Sequence, residues 1–250
     1  MIRMNKELRY ALKLLEQRIK EGDFQAMYDY ASSYLNIFPT EITPAIAKKI
    51  VRCLQKCLED GDLKAALDLG AMYYSGQFVP RDYKKAIELY EMATKSESDE
   101  VKSTAWCNLG YCYYYGRDIP VNDEQAFKCY TRAALMNNPN ALYKLGDMYR
   151  YGRYVAKDAE IALNYYNNAW DEVEDDSPEY ADICRRIGEC ALYGVGMDKD
   201  PMWAFKMLRE AETATYEKIY KMDPFAAALL PKIQQMAEEA KTLLNQELNL

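Results

Sequence analysis

The chain has 250 residues, half of them hydrophobic and 28% charged, which is too apolar for a disordered segment and ample for a folded core. A formal net charge of -7 disfavours nucleic acid and anionic membrane as partners. With no histidine anywhere, Ser-His-Asp and Cys-His nucleophiles, His-ligated zinc and imidazole acid/base chemistry are excluded, and catalysis would have to rest on carboxylates, Lys, Tyr or Cys alone.

The start, MIRMNKELRYALKLLEQRIKEGD, lacks an apolar stretch followed by a cleavage site, and no run approaches the roughly 18 apolar residues of a membrane span. It is expected to form a helix over 3–20, and the expected compartment is the cytoplasm, with the seven cysteines reduced. The stretch LRYALKLLEQRIKEGD lines up with AKKIVRCLQKCLEDGD (Ala47 to Asp62), so this helix resembles the second helix of a repeat and is expected to cap the first one.

Repeats follow. GDLKAALDLGAMYYSG (Gly61 to Gly76) has copies downstream, with a Leu/Ile-Gly pair at Leu69-Gly70, Leu109-Gly110, Leu145-Gly146 and Ile187-Gly188, spaced by 40, 36 and 42 residues. Six residues after each first glycine stands a second, Gly76, Gly116, Gly152 and Gly194. Two alanine columns complete the register: Ala86, Ala126, Ala162 and Ala204, then Ala93, Ala133, Ala169 and Ala211. GDFQAMYDYASSYL (Gly22 to Leu35) is an earlier, degenerate copy in which Ala31 and Ile37 replace the two glycines, implying a longer connection through Phe38, Pro39 and Pro44. Five repeats are expected within 22–213: 22–58, 61–95, 101–136, 139–172 and 179–213.

Within each repeat, apolar residues recur at i, i+3, i+4 and i+7 in two stretches, as in Ala65, Leu69, Met72, Tyr73 and then Ala86, Leu89, Tyr90, Ala93, the period of amphipathic helices. The intervening segment ends in Asp82, Asn122, Asp158 or Asp200, each placed to cap the second helix. A mid-helix glycine costs about 1 kcal/mol against alanine, so the first glycine column implies close helix approach, with the alanines at 86, 126, 162 and 204 expected on the other side. Beyond the repeats, 224–247 is expected to form a capping helix or pair, opened by Asp223-Pro224 and kinked at Pro231.

Leu-Gly, Tyr, Gly, Asp, Lys-Ala, Tyr and Ala-Ala in this order, with Lys85-Ala86, Tyr90, Tyr130, Tyr166 and Ala133-Ala134 in place, resembles the Sel-one-like repeat (SLR) over 22–213. The spacings of 40, 36 and 42 do not fit the stricter period of about 34 residues in related tetratricopeptide arrays. The resemblance implies an all-α, right-handed α-solenoid of helix-turn-helix repeats, one domain over 1–250, whose first helices line a concave side that binds other proteins. One secreted, cysteine-rich branch of the family carries paired cysteines that cross-link the two helices of each repeat, and some of its members are linked with β-lactam binding or hydrolysis. Cysteines at 53, 57, 107, 112, 129, 184 and 190 depart from that pattern by their odd number and irregular spacing, and are expected to be core residues, not metal ligands.

Tyrosine is abundant, 23 against 6 phenylalanines. Tyr73, Tyr113 and Tyr149, three residues after the first glycine, are expected to be packing residues on the apolar face whose hydroxyls reach a rim or a partner group, while Tyr74, Tyr111, Tyr114 and Tyr115 point elsewhere. The acidic run Asp171 to Asp176 is expected to be a solvated loop between repeats. Three columns of the first helices vary too much to be core, and they share one helical stripe. They supply the candidate partner-binding groove, Asp68, Tyr74, Asn108, Tyr111, Tyr114, Lys144, Asp147, Arg150, Arg186 and Glu189. The expected function is a non-enzymatic scaffold that takes a segment of another protein in this groove, without cofactor or catalytic residues. The alternatives are a small-molecule binder or a carboxylate-based enzyme, and a self-associating architectural protein.

Overall fold

A computed structural model describes residues 6–37, 41–220 and 226–248. These residues contain twelve α-helices and no strand. In chain order the helices are α1 Lys6–Lys20, α2 Phe24–Ser32, α3 Pro44–Glu59, α4 Leu63–Ser75, α5 Tyr83–Ala93, α6 Asp99–Tyr115, α7 Asp123–Ala134, α8 Pro139–Tyr151, α9 Ala159–Glu172, α10 Tyr180–Tyr193, α11 Pro201–Tyr220 and α12 Ala226–Glu247. The chain forms two compact units, Met1–Asn122 and Asp123–Leu250, with the boundary inside the third predicted repeat.

The helix starts are written in the sequence. Side chains of Asp62, Asp82, Asn138, Asp158 and Asp200 accept hydrogen bonds from the backbone N–H groups of Lys64, Lys85, Ala141, Ile161 and Trp203, satisfying donors that the first helical turn leaves open. The first helices α4, α6, α8 and α10 all stop at the second glycine column, where Gly76, Gly116, Gly152 and Gly194 take the left-handed conformation with φ of 68°, 66°, 69° and 71°. Two residues later the backbone is left-handed again, at Phe78, Asp118, Tyr154 and Gly196. The loop then returns through one main-chain bond in a constant place: the N–H groups of Asp82, Asn122, Asp158 and Asp200 donate to the carbonyls of Tyr73, Tyr113, Tyr149 and Ala191.

In the degenerate first repeat, where no loop glycine stops the helix, α2 runs on into a π-helical turn over Ser33–Ile37. The Ser33 hydroxyl donates to the Asp29 carbonyl there, at 2.6 Å. The proposed connection through Phe38 and Pro39 lies outside the described residues, as do Asp223 and Pro224.

In the first unit α1 packs on α2, α2 on α3, α3 on α4, α4 on α5 and α5 on α6, and the first helices α4 and α6 also meet. Its core gathers Tyr30, Ile50, Leu54, Leu69 and the buried Cys53 and Cys57. In the second unit α7 through α12 pack in the same consecutive manner, and α12 touches α10 as a further first helix would. Ile183, Ile187, Met207, Leu208, Ile233 and Met236 form its centre. The helix α12 is continuous through Pro231, which has an exposed side chain early in the helix.

The contact at the first glycine column is made differently from the sequence expectation. A Cβ on Gly70 would stand 2.6 Å from Cε1 of Tyr90, and one on Gly146 would stand 2.5 Å from Cε1 of Tyr166. On Gly188 it would meet Cγ of Leu208 at 2.7 Å. The glycine therefore admits a large side chain four residues after the alanine column, and the alanine itself contributes backbone, as in the Ala162 carbonyl 3.0 Å from the Gly146 position. Among the described residues Tyr30, Tyr90, Tyr130 and Tyr166 are the fully buried tyrosine rings, whereas Tyr73, Tyr113 and Tyr149 are half-buried, Tyr73 and Tyr149 packing against the edge of the core. All seven cysteines are buried free thiols.

Candidate partner-binding stripe

The stripe residues of the second unit lie on α8 and α10, and there the structure closes the stripe on itself. Lys144, Asp147, Arg186 and Glu189 expose only 5%, 4%, 8% and 4% of their surface. Arg186 grips Asp147 with both arms, Nε to Oδ1 at 2.6 Å and Nη2 to Oδ2 at 2.7 Å, the fork geometry that suits a guanidinium to a carboxylate. The Tyr166 hydroxyl donates to the same Oδ1 at 2.9 Å, and Lys144 lies 3.9 Å from Oδ2. Tyr166 reaches this position because its ring passes Gly146, so the mid-helix glycine delivers a hydroxyl to a buried carboxylate.

A second node forms around Glu189, which receives Arg185 Nη1 at 2.6 Å, Arg150 Nη1 at 3.0 Å and Lys232 Nζ of α12 at 3.2 Å. Asp182 takes a third position, with Lys218 at 3.1 Å and Arg186 at 3.3 Å. The guanidinium of Arg186 also lies over the Tyr143 ring, 4.5 Å from its centroid.

Burial alone would raise the pKa of these carboxylates, but their cationic neighbours prevail. Asp147 is held below the usual range by Arg186 and Lys144, and Glu189 is lowered by Arg185, Arg150 and Lys232. Asp182 is pulled to about 2 by Arg186, Lys218 and Arg185 against its own desolvation. All three are ionised at neutral pH, which removes the raised-pKa carboxylate pair that general acid catalysis in this cluster would use.

Lys144 lies closest to Asp147 of its own helix, and Arg150 pairs with Glu189 across the repeat. The cross-repeat partners stand 39 residues apart, three short of the 42 that separate these two repeats, so each bond runs diagonally from one column to the next: Asp147 with Arg186, Arg150 with Glu189, and Asn140 with Glu179. Opposite charges 39 residues apart, in neighbouring columns of the stripe, were visible in the sequence and would have indicated this ladder.

The first unit uses the stripe differently. Asp68 on α4 accepts a 2.8 Å hydrogen bond from the Tyr28 hydroxyl of α2, yet desolvation raises its pKa because no guanidinium pairs with it. Tyr74, Asn108, Tyr111 and Tyr114 are all half-buried. Tyr74 packs edge-on against Tyr83, 5.4 Å between centroids, and Tyr115 stacks with Tyr111 and meets Tyr114 edge-on. Arg117, which the sequence reading did not single out, lies over the rings of Tyr74, Tyr83 and Tyr115, with centroids 5.8, 5.5 and 5.3 Å away. Its signal was an arginine directly following the second glycine, just after the run Tyr113 to Tyr115.

A model of the Sel1 repeat matches residues 63–98, 105–138, 139–169 and 181–214, together more than half of the chain. The chain belongs to the Sel1 repeat family. Sel1 repeats are protein–protein interaction modules. Protein sel-1 homolog 2 of Homo sapiens is 29% identical over 120 residues, which is 48% of this chain and 17% of that protein, so the match spans under a fifth of the relative. Among solved structures, a protective antigen of uropathogenic Escherichia coli displaying an SLR fold aligns with TM-score 0.65 and 21% identity over 95% of this chain and 48% of its own. A Sel1 repeat protein from Oxalobacter formigenes gives 0.63 and 20% over 90% and 88%. These likenesses show the fold, an all-α solenoid of the SLR class. Among the described residues no helix is long and apolar enough to cross a membrane.

Proposed function

We propose that this chain is a non-enzymatic interaction scaffold that holds a segment of another protein against the first helices of its second and third repeats. The observation that carries this reading is the contrast along the stripe. In the second unit the variable positions neutralise one another in buried ion pairs, whereas in the first unit they are half-buried tyrosines, an asparagine and Asp68, which is bonded to a tyrosine hydroxyl. Tyrosine supplies rigid contact area with a hydrogen-bonding tip at low entropic cost, the composition of a binding surface. Lys144, Asp147, Arg186 and Glu189 then have a structural part within the second unit, fixing α8 against α10. The seven buried thiols fit a reducing compartment, in keeping with a cytoplasmic role.

The test is capture of the native partner from the source cell by cross-linking, with N108A/Y111A against wild type and E88A/E91A on the exposed second-helix face as control. The scaffold reading expects the first variant to lose at least tenfold in capture while the control keeps it. Equal capture by both, with helical content unchanged, would overturn the placement of the surface.

A further inference from the structure

Arg18 of the first unit pairs with Asp23 at 2.7 Å, but two further arginines of that unit lack such a partner among the described residues. In the second unit Arg150, Arg185 and Arg186 each face a carboxylate. In the first unit Arg81 and Arg117 do not. Arg81 donates from Nη2 and Nε to the neutral Ser75 carbonyl, at 2.9 and 3.3 Å, and lies over the Tyr83 ring at 5.7 Å. Arg117 donates from Nε to the Tyr74 hydroxyl at 3.3 Å and lies over three rings, one of them the same Tyr83. Among the described residues neither forms an ion pair.

Two guanidiniums therefore flank one tyrosine ring with their charge uncompensated, on a chain whose net charge is -7. Stacking on the rings holds both groups in place at low entropic cost while leaving Nη edges open for paired hydrogen bonds. We propose that Arg81, Tyr83 and Arg117, with Tyr74 and Tyr115 as walls, form an anchor for carboxylate side chains of an acidic peptide segment. This rests on the scaffold reading and gives its partner a chemistry. The acidic chain as a whole repels a polyanion such as nucleic acid, whereas a short segment with alternating carboxylates and apolar side chains meets both the guanidiniums and the rings.

The experiment is selection of binders from a random dodecapeptide library on the full-length protein, in parallel with R81Q/R117Q, R117K and N108A/Y111A. Both arginine side chains are at least partly exposed, and melting curves check that the variants fold. The expected result is enrichment of Asp- and Glu-containing peptides on wild type. The best of these, labelled with fluorescein, should bind R81Q/R117Q at least tenfold more weakly and R117K at an intermediate level, with wild-type affinity falling as salt is raised. Peptides without acidic enrichment, no enrichment at all, or an acidic peptide bound equally by R81Q/R117Q would overturn the proposal. Inorganic phosphate titrated alone is the second arm, and saturable phosphate binding without acidic peptide enrichment would mean a small-anion site and also overturn it. If native partner capture fails with N108A/Y111A but survives R81Q/R117Q, the scaffold reading stands and this anchor does not.

Discussion

Single residues decide how tightly each hairpin can close. Gly146 has no room for a methyl group, since Cε1 of Tyr166 would lie 2.5 Å from it, and Tyr166 is pinned at its other end by Asp147. Gly146→Ala is expected to cost roughly 2–3 kcal/mol in urea unfolding, the overpacking range for a fixed neighbour. The left-handed residue Asp118 offers the opposite opportunity: its φ of 53° is strained for a side chain and natural for glycine, so Asp118→Gly should stabilise by about 0.5–1 kcal/mol, read as a raised melting temperature. The glycine columns made the hairpins legible from the sequence because a glycine that recurs at fixed register is a backbone requirement. Phe78, Asp118 and Tyr154 hid the second left-handed position, and only Gly196 in that column betrayed it. Lys144, Asp147, Arg186 and Glu189 were read as groove residues and are buried, because single charged residues default to solvent and only the ion pairs between α8 and α10 reveal their burial.

At the level of elements, α8 and α10 are joined by buried ion pairs. Removing one partner strands the other: Arg186→Met should cost roughly 3–5 kcal/mol, and adding Asp147→Leu should restore much of it, because two apolar side chains avoid the desolvation that two ions incur. Unfolding of the single and double variants in urea checks both. The pH dependence follows from Asp182, whose folded pKa of about 2 lies below its ordinary value of 3.8. A depressed pKa contributes stability that is complete above the unfolded value and is lost as pH falls through the folded one. Acidification from about pH 4 towards pH 2 should therefore remove roughly 2 kcal/mol through this residue, and Asp147 and Glu189 act in the same direction. Asp182→Asn should flatten that slope in denaturation curves collected at successive pH values.

Across the whole molecule, the seven cysteines share one state despite belonging to different repeats. Each is buried, and burial pushes Cys57 and Cys190 up to about 11 and Cys184 up to about 12, so thiolate is scarce at neutral pH. Native protein should react with a chromogenic disulfide reagent at least a hundredfold more slowly than denatured protein, which should titrate seven thiols. Rapid reaction of even one thiol in the native state would contradict the burial. The main-chain clip that shuts four hairpins, from Asp82, Asn122, Asp158 and Asp200 to the carbonyls opposite, involves no side chain at the stripe. Mutational drift can thus rewrite the stripe of one repeat, turning an ion ladder into an aromatic shelf, without renegotiating the closure of any hairpin. A chain built this way acquires new recognition by local substitution, and its lineage can diversify what it holds while inheriting how it folds.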